Sequence, residues 1–563
     1  MEAPGPAWLK HAVFYQVYPQ SFFDSNADGI GDLPGITAKL DYIRSLGCNV
    51  IWINPCFDSP FGDAGYDIRD FYRVAPRYGT NDDLKVLFAE AHRRGMRVVL
   101  DLVAGHTSIE HAWFQASASP LPNRFSNRYV WTDNAWRGPG EGLEGIRGYS
   151  DRDGQYVTNF FHFQPALNYG FAEPDPTKPW QLPTDHPDAV ATREELLRIL
   201  LHWFGQGADG FRVDMAFSLV KNDPAGTATA ALWQEIRGRV EEQFPEAALL
   251  AEWSVPSKAI PAGFHVDFMI HFGTPAYTSL LRAEPERDVF GMASGEGHSY
   301  LSAQGKGDLN GFLRIFLEEH ESIQGRGYIS VPTGNHDICR IRHGRTVEEL
   351  KVAYTLLFTL PCLPCIYYGD EIGMGQITNL ASKEGGYGRT GARTPMQWDG
   401  GENAGFSSAP AEWLYLPIDP AENRPNVAVQ GADPDSLLNF TRSLLALRQS
   451  RQALGPDAGF QPLSTGERGF PFVFLRVFGE EKCLIVVNPG EQPAETLMEE
   501  QFASPTLLLG QAARIKISHE KNQTRLQCEG LSFGIFSLQD QSFRRASEIP
   551  SVPANVQELT AQK

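Results

Sequence analysis

Cysteine is scarce in this chain, and positive charge is in deficit. Seven cysteines in 563 residues are few and odd in number, which excludes the disulfide framework of small secreted scaffolds. Cys362 and Cys365 form a single C-x-x-C inside LPCLPCIYYG. No second pair completes a metal site, and the apolar run around it reads as a buried strand. Lys and Arg number 49 against 68 Asp and Glu, a net charge of −19. Nucleic acid and anionic membranes would be repelled by that balance, and a neutral small molecule fits it better. No apolar run approaches the ~20 residues that span a bilayer. The first residues, MEAPGPAWLKHAVFYQVYPQSF, lack the basic-then-apolar order of a secretory signal. A cytoplasmic, reduced protein is expected, and no feature marks its oligomeric state.

What is present is an ordinary globular composition, 42% hydrophobic and 21% charged, in a chain too long for one compact core. Strand-like and helix-like segments alternate over the first hundred residues, as in βα units. The runs are AVFYQVYP, then a helix in GITAKLDYIRSLG, NVIWINP, a helix from Asn81 to Gly95, and RVVLDLV. Residues 105–170 then lose the pattern, being rich in Gly, Pro, Asn and aromatics. That stretch is too long for a loop and reads as an inserted domain. The alternation resumes with EELLRILLHWFGQG, GFRVD, ALLAEW, VDFMIHF, YISVP and CIYYG. Eight strands in all predict an α/β fold, a TIM (β/α)8 barrel in two parts, residues 1–104 and 171–454. Alternating runs such as FPFVFLRVF and KCLIVVN predict an antiparallel β domain over 455–540, followed by a frayed tail, 541–563.

Polar residues gather where barrel strands turn into loops: Asp101 and His106, Arg212 and Asp214, Glu252, then His336 and Asp337. One such residue usually anchors a loop, but several on one rim of a barrel point to a site. FRVD (211–214), AEW (251–253) and NHD (335–337) resemble, in order and on the right strands, the motifs of the α-amylase family, glycoside hydrolase family 13. YQVYPQSF, GYDIRDF, YYGDEIG and ARTPMQWD extend the likeness toward its oligo-1,6-glucosidase and α-glucosidase branch. The resemblance implies a retaining exo-acting α-glucosidase on short gluco-oligosaccharides, with a transglucosylase or a sucrose or trehalose isomerase as the alternative on the same scaffold. A non-catalytic member of the family is the remote one.

By the same resemblance Asp214 is the nucleophile, Glu252 the acid/base and Asp337 the transition-state stabiliser. Arg212, on the strand face of Asp214, can hold that carboxylate ionised, and Glu252 needs a raised pKa to start protonated. His106 and His336 are expected to hydrogen-bond the sugar and Tyr66 to stack on it. Asp63 paired with Arg393 is expected to close the non-reducing side. DSNADGIGD places Asp24, Asn26, Asp28 and Asp32 at alternate positions, with the Ile30 carbonyl between. Such oxygen-rich loops bind Ca²⁺, and the branch resembled has a structural metal loop here, so a structural Ca²⁺ is expected. The likeness has gaps. Gly105 and Ala166 stand where α-amylases have Asn and Asp ligands of an interdomain calcium, which argues against that second site. Met215 replaces the usual Val or Ala and leaves the linkage preference open.

Overall fold

The computed structural model describes residues 5–538 except 141, 272–275, 282–298, 465–467, 503–504 and 521–522; the 541–563 tail lies outside the described residues. Eight parallel strands form a closed barrel: β1 (Phe14–Val17), β2 (Val50–Ile53), β3 (Arg97–Val103), β4 (Gly210–Asp214), β5 (Ala248–Ala251), β6 (Val266–Phe268), β7 (Tyr328–Pro332) and β8 (Leu363–Tyr367). These are the eight strands legible in the sequence. Each pairs with its sequence neighbours, and β8 returns to β1 with Cys365 beside Phe14.

The strand period of two sorts every residue. Phe14, Val50, Trp52, Val99, Leu250 and Phe268 fill the barrel interior. Their neighbours Tyr15, Ile51, Val98, Phe211 and Leu249 pack outward on the helices. Burying each such side chain contributes about 1.5–3 kcal/mol. The same alternation continues past the apolar layer. Asp101 is two residues beyond Val99, Glu252 two beyond Leu250, and Arg212 and Asp214 alternate with outward Phe211 and Val213. Inward positions at the carboxyl rim therefore carry the charges.

The helices follow their caps. Asn81–Arg93 starts on a Thr80–Asp83 capping box and ends before Gly95 at φ +70°. One helix expected in GITAKLDYIRSLG is instead two, Leu33–Ala38 and Leu40–Ser45, broken at Lys39. At the break the Lys39 ammonium lies 4.0 and 4.2 Å from the ring centres of Phe23 and Trp398, a cation–π contact that offsets lost helix bonds.

Between β3 and the helix Pro187–Gln206 lie a short helix, Ala112–Ser117, and a two-stranded antiparallel sheet of Gly145–Arg147 with Gln155–Val157. Val130, Val157, Ala166 and Phe171 form a separate apolar cluster there. After the helix Leu437–Ser450, a five-stranded and a three-stranded antiparallel sheet enclose Val473, Leu475, Leu484, Val486 and Leu526. No helix among the described residues is long and apolar enough to cross a membrane. All seven cysteines are free, Cys362 and Cys365 buried.

Candidate active site

The rim charges converge on one guanidinium. Arg212 Nη1 donates to Asp101 Oδ1 at 2.9 Å and to Asp214 Oδ1 at 3.2 Å, while Nη2 pairs with Glu252 Oε1. Glu252 Oε2 accepts the backbone N–H of Met215 at 2.9 Å. Trp52 Nε1 and the Tyr66 hydroxyl complete the Asp101 shell at 3.1 and 3.0 Å. One cation thus faces three buried carboxyls, and they cannot all ionise cheaply. Burial pushes Asp214 and Glu252 up, Glu252 well above the carboxylate range despite Arg212. Burial thus favours a proton on this cluster, the state an acid/base carboxyl needs.

The third carboxyl has the opposite environment. Burial opposes the ionisation of Asp337, but His336, Arg389 and Arg393 outweigh it and hold the carboxyl well below its usual range. Arg389 Nη1 donates to its Oδ1 at 2.7 Å and Arg393 Nη2 at 3.1 Å. His336 Nδ1 receives Gln16 Nε2 at 3.0 Å and Asn54 Nδ2 at 3.2 Å. Two amide donors on Nδ1 leave the proton on Nε2, which lies 3.2 Å from Asp337 Oδ2. The pairing expected between Asp63 and Arg393 does not form. Arg389 approaches Asp63 instead, at 3.7 Å, and Gln164 donates to Asp63 at 2.9 Å. Arg393 turns inward and donates to the His336 carbonyl at 2.8 Å. Burial, only partly offset by Arg389, pushes Asp63 up to about 6.

His106 differs from expectation too. Its Nε2–H donates to the Tyr66 carbonyl at 3.0 Å and its Nδ1 accepts from Asn159 at 3.2 Å. Both nitrogens are engaged by protein, and burial lowers its pKa to about 3. Tyr66 stacks one face on His336, ring centres 5.3 Å apart and planes at 6°. Asn159 explains Gly105: a Cβ there would fall 2.5 Å from Asn159 Nδ2. Behind Asn159 sits the buried Lys221, whose Nζ donates to Asn159 Oδ1 at 3.0 Å and to the Ser218 carbonyl at 2.6 Å. An ammonium therefore already stands behind the side chain that fills the surroundings of the missing Asn, and Ala166 pairs with His106 across a β-bridge.

Asp63, Tyr66, His106, Asp214, Glu252, His336 and Asp337 all line a single cavity of about 560 Å³, within the ~300–1,000 Å³ of small-ligand sites. Arg212 and Arg393 stand behind that lining, whereas Arg389 is part of it. Phe160, Met215, Phe217, Trp253 and Val255 form the apolar side, and Phe160 and Phe217 are 44% and 41% exposed at its mouth. Two residues beside the carboxyls, Met215 at φ +42° and Ser254 at φ +60°, are left-handed, a strain of about 1–3 kcal/mol each. Arg389, Gln164, Asn159 and Lys221 were not singled out from sequence. A second arginine four residues before Arg393, and a lysine seven after Asp214, were the only marks.

The acidic loop sits away from this cavity. Asp24 accepts N–H groups from Asn26, Ala27 and Gly29, Asn26 from Asp28, and Asp28 from Ile30. Asp32 caps Leu33–Ala38 through Gly35 N–H. Asp24 and Asp32 are buried without an ion pair among the described residues, and burial pushes Asp32 up. An all-oxygen set with buried carboxyls that no cationic side chain neutralises suits a hard cation. Yet among the described residues no three Asp, Glu, His or Cys groups converge as a metal site; the side chains are turned onto amides.

The geometry has counterparts in known proteins. Residues 16–457 match the family described as alpha amylase, catalytic domain. A trehalose synthase/amylase of Mycolicibacterium smegmatis is 35% identical over 487 residues, covering 79% of this chain and 77% of the relative. An oligo-1,6-glucosidase of Parageobacillus thermoglucosidasius is 30% identical over 542 residues, 86% of this chain and 91% of the relative. Among solved structures, isomaltulose synthase of Erwinia rhapontici aligns with a TM-score of 0.76 at 27% identity, covering 95% of this chain and 99% of that one. The chain is an enzyme of the α-amylase family.

Proposed function

We propose that this enzyme is a retaining, exo-acting α-glucosidase that hydrolyses short gluco-oligosaccharides. The observation that carries the reading is the single Arg212 guanidinium holding both Asp214 and Glu252. Two carboxyls drawn onto one guanidinium suit the ~5–5.5 Å spacing of retaining enzymes better than the ~6.5–9.5 Å that admits a water in inverting ones. Asp214 attacks the anomeric carbon while Glu252 passes its proton to the leaving oxygen, giving a glucosyl ester on Asp214 and a free alcohol. Glu252, now a carboxylate, takes a proton from water; the hydroxide displaces Asp214, releasing α-glucose and restoring both groups. Asp337, ionised throughout, grips sugar hydroxyls as the ring flattens toward the oxocarbenium ion. Asp63 with Arg389 closes the non-reducing end, which limits cleavage to one terminal residue.

A second reading, an isomerase or transglucosylase using the same ester, is favoured by one specific finding. Relatives named trehalose synthase and a structural neighbour named isomaltulose synthase share the fold. Incubation with maltose, isomaltose, trehalose, sucrose and soluble starch, with products identified, separates the two. Glucose release from maltose or isomaltose supports hydrolysis; rearranged disaccharide at low substrate concentration supports the second.

The Asp24, Asn26, Asp28, Ile30 and Asp32 loop is proposed to hold a structural Ca²⁺, supported by its oxygen donors and by two buried carboxyls, Asp24 and Asp32, that have no ion-pair partner among the described residues. Seven free thiols support a reducing, cytoplasmic setting.

A further inference from the structure

One buried carboxyl near the site has no part in the chemistry above. Asp267 lies on β6 between Val266 and Phe268, which face the barrel interior, so its side chain points outward, into the layer behind the rim. It is wholly buried, pairs in register with Ala251, and forms no ion pair among the described residues. Its Oδ1 accepts two consecutive backbone N–H groups, those of Trp253 and Ser254, at 3.1 Å each. Its Oδ2 has no partner. The turn it grips follows Glu252 directly and is strained at Ser254, φ +60°. Ser254 Oγ pins the same turn by accepting Ile270 N–H at 3.0 Å.

We propose that Asp267 is a positioning residue for the acid/base Glu252, fixing the strained 253–255 turn so that the Glu252 carboxyl stays on Arg212 and the Met215 amide. Two parallel N–H groups form an anion- or oxygen-binding nest, and leaving them unpaired in an apolar layer would free the turn to relax. Burial pushes the Asp267 carboxyl up to about 8 against the pull of the turn's N–H groups, and what Oδ1 gives the turn is a hydrogen-bond acceptor. Asn keeps that acceptor; Ala does not. Trp253 and Val255, on the same turn, also line the cavity, which ties its placement to the aglycone side.

The proposal rests on Glu252 being the acid/base, and leaving-group chemistry tests it. In Asp267→Ala, kcat/KM for maltose, whose departing sugar needs protonation, falls about 10- to 100-fold, as an ångström-scale misplacement does. For α-glucosides of acidic nitrophenols, which leave unprotonated, the loss stays under about threefold. Asp267→Asn retains maltose activity within about threefold. If Asp267→Ala does not fold, Ser254→Ala, which removes only the hydroxyl pin, carries the test with a smaller loss of the same dependence. A loss equal for both leaving groups, or Asp267→Asn as damaging as Asp267→Ala, overturns the proposal. Glu252→Gln run alongside separates the two failures: should it lack leaving-group dependence, the acid/base reading itself falls.

Discussion

Replacing Arg389 by Ala should shift the acid limb of activity upward as well as lower its height. In the native site Arg389 Nη1 lies 2.7 Å from Asp337, and Nη2 lies 3.7 Å from Asp63. A hydrogen bond to a charged group is worth about 1.5–3 kcal/mol, and each 1.36 kcal/mol is tenfold in rate. The loss in kcat/KM at optimal pH is then about 10- to 160-fold. Asp337 keeps Arg393 and His336 and stays ionised. Asp63 does not fare as well. Burial already pushes it up to about 6, and Arg389 is the largest influence pulling it down. Without that cation its pKa rises further, so the carboxylate that receives sugar hydroxyls is lost as pH falls through a higher value. Asp214, which must be ionised to attack, is pushed up to about 7, so both carboxyls shape the acid limb. Profiles of kcat/KM between pH 5 and 9 on maltose should show a variant limb displaced upward or steepened as Asp63 comes to titrate beside Asp214, with partial recovery at alkaline pH. An Arg389→Ala enzyme within threefold of native, or one whose acid limb keeps both position and slope, refutes the reasoning. Arg393→Ala should lower Tm as well as activity, because Arg393 holds the His336 carbonyl at 2.8 Å from behind the lining and also donates to Asp337 at 3.1 Å.

Asp214→Asn should cut kcat by on the order of 10⁴ or more with unchanged circular dichroism, as loss of a nucleophile does elsewhere; undiminished glycosidase activity would remove Asp214 from its role. Lys221→Met leaves Asn159 Oδ1 and the Ser218 carbonyl without their donor, at about 1–3 kcal/mol for each buried orphan, so thermal unfolding should show a Tm several degrees lower and an unchanged Tm counts against the network. Chelation should lower Tm and elemental analysis should find one Ca²⁺ per chain before treatment; if neither occurs, the Asp24 loop is a hydrated turn. A thiol reagent should reach at most Cys339 in the folded protein, since the other six are buried, and all seven after denaturation; rapid native reaction of several thiols contradicts the packing.

The barrel and its charged rim were readable because their rules are local. Strand alternation fixes that Arg212 and Asp214 share a face and that Glu252 follows the interior Leu250, whatever the rest of the chain does. Partner choice between loops has no such rule. Arg389 and Arg393 lie four apart in one segment, and only the 3-10 turn Tyr387–Ala392 decides that the first enters the cavity and the second turns to the His336 carbonyl. His106 was likewise legible as a rim residue but not as one whose nitrogens are both taken, since Asn159 comes from 53 positions away. The helix break at Lys39 depends on Trp398, hundreds of residues on, offering its ring. Gly105 and Ala166 were visible in the sequence only as missing ligands. The structure turns that absence into a substitution: the space closed to a side chain at Gly105 belongs to Asn159, and Asn159 is held by the Lys221 ammonium. The ammonium takes the Asn159 amide oxygen and the Ser218 carbonyl, and Ala166 offers no carboxylate, so stability at this junction should follow Lys221 and be indifferent to chelators, while the Asp24 loop responds to them.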